Sequence, residues 1–195
     1  MAKLYFRYGA MNSGKTANLL MVADNYMHQG REVLILKPAI DTRWEGVQSR
    51  AVKSNYPSVT VAQDANVFEL VSQIPHKLYS VLVDEAQFLA AEQIEQLAQV
   101  VDQLGIPVLC YGLRSSYVKG HLFPGAQALF YWADTIEEIK NVCHYCNKKA
   151  THNLLRRDGA PVYEGTTVVM GDTQPTHTAV EVFTAVCRKH FHDPE

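Results

Sequence analysis

The sequence predicts an α/β protein: a parallel sheet flanked by helices, followed by a small C-terminal unit of different character. Three observations predict this. Strand-like apolar runs alternate with helix-period segments at a spacing that demands crossover connections, and therefore parallel pairing. A glycine-rich loop joins the first of these strands to the first of these helices. At Lys140 the helical periodicity gives way to cysteine pairs, turn residues and short β-like runs, which divides the chain into residues 1–140 and 141–195.

The first strand is expected over Lys3–Tyr8 and ends at Gly9. A helix follows from about Gly14, with Leu19, Leu20, Ala23 and Met27 on one face and Gly30 as its stop. Glu32–Lys37 is a short buried strand halted by Pro38, whereas the polar, turn-rich Ala39–Tyr56 has no legible structure. Ser58–Ala62 reads as a strand, and Asn66–Ile74 as a short helix capped by Asp64. Tyr79–Val83 is apolar throughout, as in strands covered on both faces. Ile94, Leu97, Ala98, Val101 and Leu104 then mark an amphipathic helix ending at Gly105. A strand over Pro107–Tyr111, a helix over Gly125–Trp132 and a strand over Thr135–Ile139 complete the series.

Composition excludes several classes. Apolar residues make up 47% of the 195 residues and charged residues 19%, a globular balance without a disorder signature. A formal charge of −2 gives no electrostatic footprint for nucleic acid, which is therefore not an expected partner. Arg7 interrupts the short apolar start Met1–Phe6, so no signal peptide is read, and no stretch is long enough to span a membrane. A cytoplasmic location is expected, where the four cysteines are thiols or metal ligands rather than disulfides.

Gly9, Ala10, Met11, Asn12, Ser13, Gly14, Lys15 and Thr16 match the phosphate-binding pattern G-x-x-x-x-G-K-[ST] in full. Glycines let the backbone wrap a phosphate and aim its N–H groups inward. Lys15 supplies charge to the β- and γ-phosphates, Thr16 a hydroxyl for Mg²⁺, and the helix behind them its positive end. Asp84 and Glu85 stand at the carboxyl end of an apolar strand, where α/β sheets place their ligands. Asp84 suits the Mg²⁺-holding role, with Glu85 as a base on the nucleophile. The residues leave open whether that nucleophile is water or a substrate hydroxyl. Asp84-Glu85-Ala86-Gln87 also reads like a helicase box, but such a core needs a second sheet domain and a basic channel.

Cys143-x-x-Cys146 and Cys187-x-x-His190 are two ligand pairs at knuckle spacing, suited to tetrahedral Zn²⁺ with no open position and therefore structural. His144, His152 and His192 lie nearby, but His190 has the spacing. Cys110 sits in an apolar strand and reads as a core residue.

The order of these parts resembles the type II thymidine kinase family. GAMNSGKT, Asp41-Thr42-Arg43, DEAQF at 84–88, YGLRSSY at 111–117, CHYC and VCRKH at 186–190 carry the resemblance across nearly the whole chain. It implies a RecA-like kinase domain with a zinc ribbon, and transfer of the ATP γ-phosphate to the 5′-hydroxyl of thymidine or deoxyuridine with Mg²⁺. Glu85 is then the general base, and Gln87 joins the nucleotide-binding set. A substrate lasso would span about His152–Ala185, with Val162–Gly171 contacting the base. Met11, Phe88, Leu113, Tyr117 and Asn153 would line the thymine pocket, joined by Val169, Met170, Gly171 and Phe183 from the lasso. Gly171-Asp172, the long TQPTHTAVE stretch and Phe183 at a tyrosine position depart from the family pattern. The resemblance also implies a homotetramer and feedback inhibition by dTTP. The rivals are a P-loop ATPase and a zinc-ribbon nucleic-acid adaptor, for which Lys148, Lys149, Arg156 and Arg157 form only two small basic pairs.

Overall fold

The computed structural model describes residues 1–40, 46–49, 55–166 and 181–194. Asp41–Arg43, Val169, Met170, Gly171 and the insertion after it lie outside the described residues. Six parallel strands form the main sheet: β1 (Leu4–Tyr8), β2 (Val33–Pro38), β5 (Val59–Val61), β6 (Ser80–Val83), β7 (Val108–Gly112) and β8 (Thr135–Glu138). Their spatial order is β5-β2-β6-β7-β1-β8. β3 (Val47–Gln48) and β4 (Asn55–Tyr56) pair as a small antiparallel ribbon in the segment where the sequence shows no pattern.

Side-chain alternation along the strands separates two cores. Val81, Val83, Val108 and Cys110 face one way with Leu4 and Phe6, and are covered by α2 (Val67–Ser72), α3 (Ala91–Leu104) and α4 (Pro124–Trp132). Leu82, Leu109 and Tyr111 face the other way, under α1 (Lys15–His28) through Leu19, Leu20 and Ala23. Ile94 and Leu97 of α3 are fully buried, each contributing about 2 kcal/mol. Cys110 is one of these core side chains, as expected.

Element types agree with the sequence, and the differences are local. Met27 is 39% exposed, because the last turn of α1 runs past the apolar sheet face. The cap of α2 is Asn66 rather than Asp64: its side chain accepts from the Glu69 N–H at 3.1 Å, and Asp64 lies two residues too early. A 3₁₀ turn at Ala86–Phe88, unmarked in the sequence, follows β6.

The C-terminal part is a three-stranded antiparallel sheet in the order β10 (Ala160–Val162), β9 (His152–Arg157), β11 (Glu181–Val186), followed by α5 (Arg188–His192). The ends of the expected lasso are thus paired strands rather than loop. Alternation explains it: Leu154 packs with Cys143, Val186, Cys187 and Phe191 on one side, while Leu155 packs with Phe183 and Tyr117 on the other. No described helix is long and apolar enough to cross a membrane.

Gly125 marks the tightest approach of α4 to the turn after β6. A Cβ there would stand 2.6 Å from the Leu89 carbonyl oxygen and 2.7 Å from that of Ala86. Backbone cannot yield as a side chain does, so Gly125→Ala is expected to destabilise the protein by about 2 kcal/mol, read as a lower denaturation midpoint at unchanged slope.

Candidate active site

Chain topology brings the loop after β1 and the turn after β6 to the same carboxyl edge of the sheet. The Gly9–Thr16 loop has the cradle form its sequence predicts. Asn12 and Gly14 adopt left-handed backbone, with φ of 59° and 84°. A Cβ on Gly9 would fall 2.4 Å from Ser13 Oγ and 2.5 Å from the Ile139 carbonyl oxygen, so only glycine fits. Lys15 Nζ donates to the Ala10 and Gly9 carbonyls at 2.9 and 3.2 Å. Ser13 Oγ is buried, and among the described residues no partner engages it. A glycine-only cradle, an orphaned hydroxyl and a buried lysine at a helix N-terminus fit a phosphate chain.

Thr16 Oγ1 donates to Asp84, 3.1 Å from Oδ2 and 3.3 Å from Oδ1. Burial, and then the neighbouring Glu85 carboxylate, push Asp84 up to about 7, against the opposing pull of Thr16 and Lys15. A hydroxyl and a buried carboxylate side by side fit a hard divalent cation, which would offset that cost.

Glu85 is held in left-handed backbone, φ 49° and ψ 37°, between β6 and the 3₁₀ turn. That conformation costs a non-glycine residue about 1 kcal/mol, and such strain gathers at functional sites. Gln87, 1% exposed, donates from Nε2 to Glu85 Oε2 at 2.6 Å and accepts the Leu113 N–H on Oε1 at 2.9 Å. The structure thus sets Gln87 against Glu85 and the end of β7. Gly112 gives it room, since a Cβ there would meet Gln87 Oε1 at 2.6 Å.

Beside this edge opens a cleft lined by Met11, Phe88, Leu113, Ser115, Ser116, Tyr117, Phe123, Asn153 and Phe183. Residues 162–166, the described part of the stretch expected to contact the base, do not line it, whereas Met11, Phe88, Leu113, Tyr117, Asn153 and Phe183, which the resemblance places in the thymine pocket, all do. Ser115, Ser116 and Phe123 join them without a local signal: Phe123 enters by packing edge-on against Phe88, at a centroid distance of 5.4 Å. Tyr117 and Phe183 pack likewise at 5.9 Å, and the Tyr117 hydroxyl donates to the Thr166 carbonyl at 2.8 Å. The C-terminal sheet also grips the phosphate loop. Ala10 packs against Ala150 and Ala185. Met11 donates its N–H to Asn153 Oδ1 at 2.7 Å and accepts from Asn141 Nδ2 at 3.1 Å.

Cys143, Cys146, Cys187 and His190 bring their ligand atoms within 4.8 Å of one another. A tetrahedral zinc with Zn–S of ~2.3 Å and Zn–N of ~2.05 Å has S–S edges of about 3.8 Å and S–N edges of about 3.5 Å. The structure has Cys146 Sγ to Cys187 Sγ at 3.9 Å, Cys143 Sγ to His190 Nδ1 at 3.3 Å and Cys187 Sγ to His190 Nδ1 at 3.5 Å. The cluster fits a zinc site. Burial opposes ionisation of Cys143, but hydrogen bonds from the Cys187 backbone and His190 outweigh it and lower the thiol to about 6, toward the thiolate a metal requires. His144 and His192 are exposed, and His152 instead stacks on Phe191 at 4.7 Å, so none competes. Cys146→Ala is expected to reduce bound zinc from one per chain to a small fraction, measured by elemental analysis, and to lower the thermal midpoint by several degrees.

Comparison with known proteins agrees with this geometry. The profile of the family described as thymidine kinase matches residues 2–191. A thymidine kinase of Streptococcus agalactiae serotype Ia is 43% identical over 196 residues, with all of both chains covered. A thymidine kinase of Streptococcus pyogenes serotype M28 is 42% identical over the same length, again covering both chains in full. The chain belongs to the thymidine kinase family.

Proposed function

We propose that the chain is an ATP-dependent deoxynucleoside kinase that transfers the γ-phosphate to the 5′-hydroxyl of thymidine, and of deoxyuridine, giving dTMP from the former. One observation carries the reading. The cleft shares Met11 with the phosphate loop and Phe88 with the turn that bears Glu85, so donor, acceptor and base meet at one sheet edge. The loop N–H groups, Ser13 and Lys15 would hold the phosphates. Thr16 and Asp84 would hold Mg²⁺, which would supply charge neutralisation for the transferred phosphoryl group. Glu85, oriented by Gln87, takes the proton of the attacking hydroxyl as general base. Phosphoryl transfer is mostly positioning and charge stabilisation, and the strained turn provides the positioning.

Residues 1–140 act in this reading as the kinase domain, and 141–195 as a structural zinc ribbon carrying the lasso. Val169, Met170 and Gly171 are assigned to the base through the family resemblance alone, as are the homotetramer and dTTP binding at the acceptor site. The test is transfer from ATP and Mg²⁺ to each common deoxynucleoside. Thymidine phosphorylation is expected, with Glu85→Gln lowering kcat by about 10²–10⁴-fold while leaving ATP binding within a few-fold. ATP hydrolysis as fast without nucleoside as with it would overturn the kinase and leave an ATPase.

A further inference from the structure

The phosphate loop is gripped from outside at Met11, which gives its N–H to Asn153 and its carbonyl to Asn141. The described chain has no cis peptide, so the carbonyl and N–H of each peptide unit point in opposite directions. The Met11–Asn12 unit therefore turns its carbonyl outward to Asn141 Nδ2 at 3.1 Å, and the Asn12 N–H the other way, to the concave side of the loop. Among the described residues that N–H has no acceptor. The preceding unit obeys the same rule: the Met11 N–H goes out to Asn153, and the Ala10 carbonyl faces inward, where it accepts from Lys15 Nζ at 2.9 Å.

Asn12 is the strained point of the loop. It holds left-handed backbone at φ 59°, a region that asparagine tolerates without preferring it. That torsion turns the very peptide unit that Asn141 holds. Released from Nδ2, the unit can swing toward the common negative φ and carry its N–H out of the cradle. Asn141 is a firm support. The Val142 N–H can only donate and lies 2.8 Å from its Oδ1, while the Met11 carbonyl can only accept, so both ends of the amide are assigned. Its own carbonyl accepts from the Ala150 N–H at 2.8 Å, and Val142 beside it bridges to Lys149. The support stands two residues before Cys143 and takes no part in the wall of the cleft.

We infer that Asn141 is a positioning residue for the phosphate donor, holding the Met11–Asn12 peptide so that the Asn12 N–H faces the triphosphate. This rests on the proposed reading that the Gly9–Thr16 loop takes the phosphates of ATP. An N–H already aimed at the anion costs no rearrangement when the donor arrives, so the contact is worth more to ATP than to the resting fold.

Asn141→Ala tests this by removing the donor to the Met11 carbonyl. Asn141→Asp is the second variant: it keeps an oxygen for the Val142 N–H and sets a charged oxygen against that carbonyl. With wild type alongside, the calorimetric affinity for ATP with Mg²⁺ is measured, together with the KM for ATP, the KM for thymidine, zinc content and the thermal midpoint. ATP affinity is expected to fall about 10-fold in Asn141→Ala and about 100-fold in Asn141→Asp, with matching rises in the KM for ATP. The KM for thymidine and the zinc content should stay within about twofold of wild type. ATP affinity unchanged in both variants overturns the inference. So does an equal loss for ATP and thymidine, or a loss that follows zinc content, either of which a merely structural role would give. Wild-type protein that binds no ATP with Mg²⁺ overturns the underlying reading of the loop instead, and this inference with it.

Discussion

The constraint on which the C-terminal third depends is the convergence of Cys143 and Cys146 on Cys187 and His190. Around those ligands the small sheet has few large buried apolar side chains, chiefly Leu154, Val186 and Phe191. A sheet of three short strands with so small a core is marginal by itself, and a metal held by the cluster would supply folding free energy. What the cluster holds is wider than the ribbon. β9 and β11 bring Asn153 and Phe183 to the cleft, and Ala150 and Ala185 to the neck of the phosphate loop. The cysteine cluster thereby helps fix one wall of the cleft and one side of the phosphate loop.

A second dependence runs through the turn after β6. Asp84 and Glu85 are neighbours in sequence but differ sharply in setting. The former is buried, raised toward neutrality and bonded to Thr16, whereas the latter is partly exposed and bonded to Gln87. The left-handed backbone at Glu85 separates them, turning one carboxylate toward Thr16 of the phosphate loop and the other toward Gln87. Gly112 and Gly125 allow β7 and α4 to close on that turn from two sides.

Much of this was legible in the sequence because its signals are local. The phosphate loop is contiguous, the acidic pair ends an apolar run, and each half of the cysteine cluster repeats one short spacing. Strand and helix types followed from period, although periodicity could not tell that the end of α1 overhangs the sheet and leaves Met27 exposed. What stayed hidden is long-range. Asn153 meets Met11 across a separation of 142 residues, and Asn141 meets the same residue across 130. A single asparagine has no pattern that announces such a contact. The 3₁₀ turn and the entry of Ser115, Ser116 and Phe123 into the cleft likewise arise only when distant segments pack.

β9 is read from both sides. His152 and Leu154 face the metal core, while Asn153 and Leu155 face the cleft. One residue inserted between Cys146 and His152 would exchange the two faces, sending His152 to the phosphate loop and Asn153 toward the cysteines. The short stretch that joins them can therefore drift in composition but not in length. A change of length is instead expected to be tolerated beyond the strand, at the Asp158–Gly159 turn, where both residues already take positive φ.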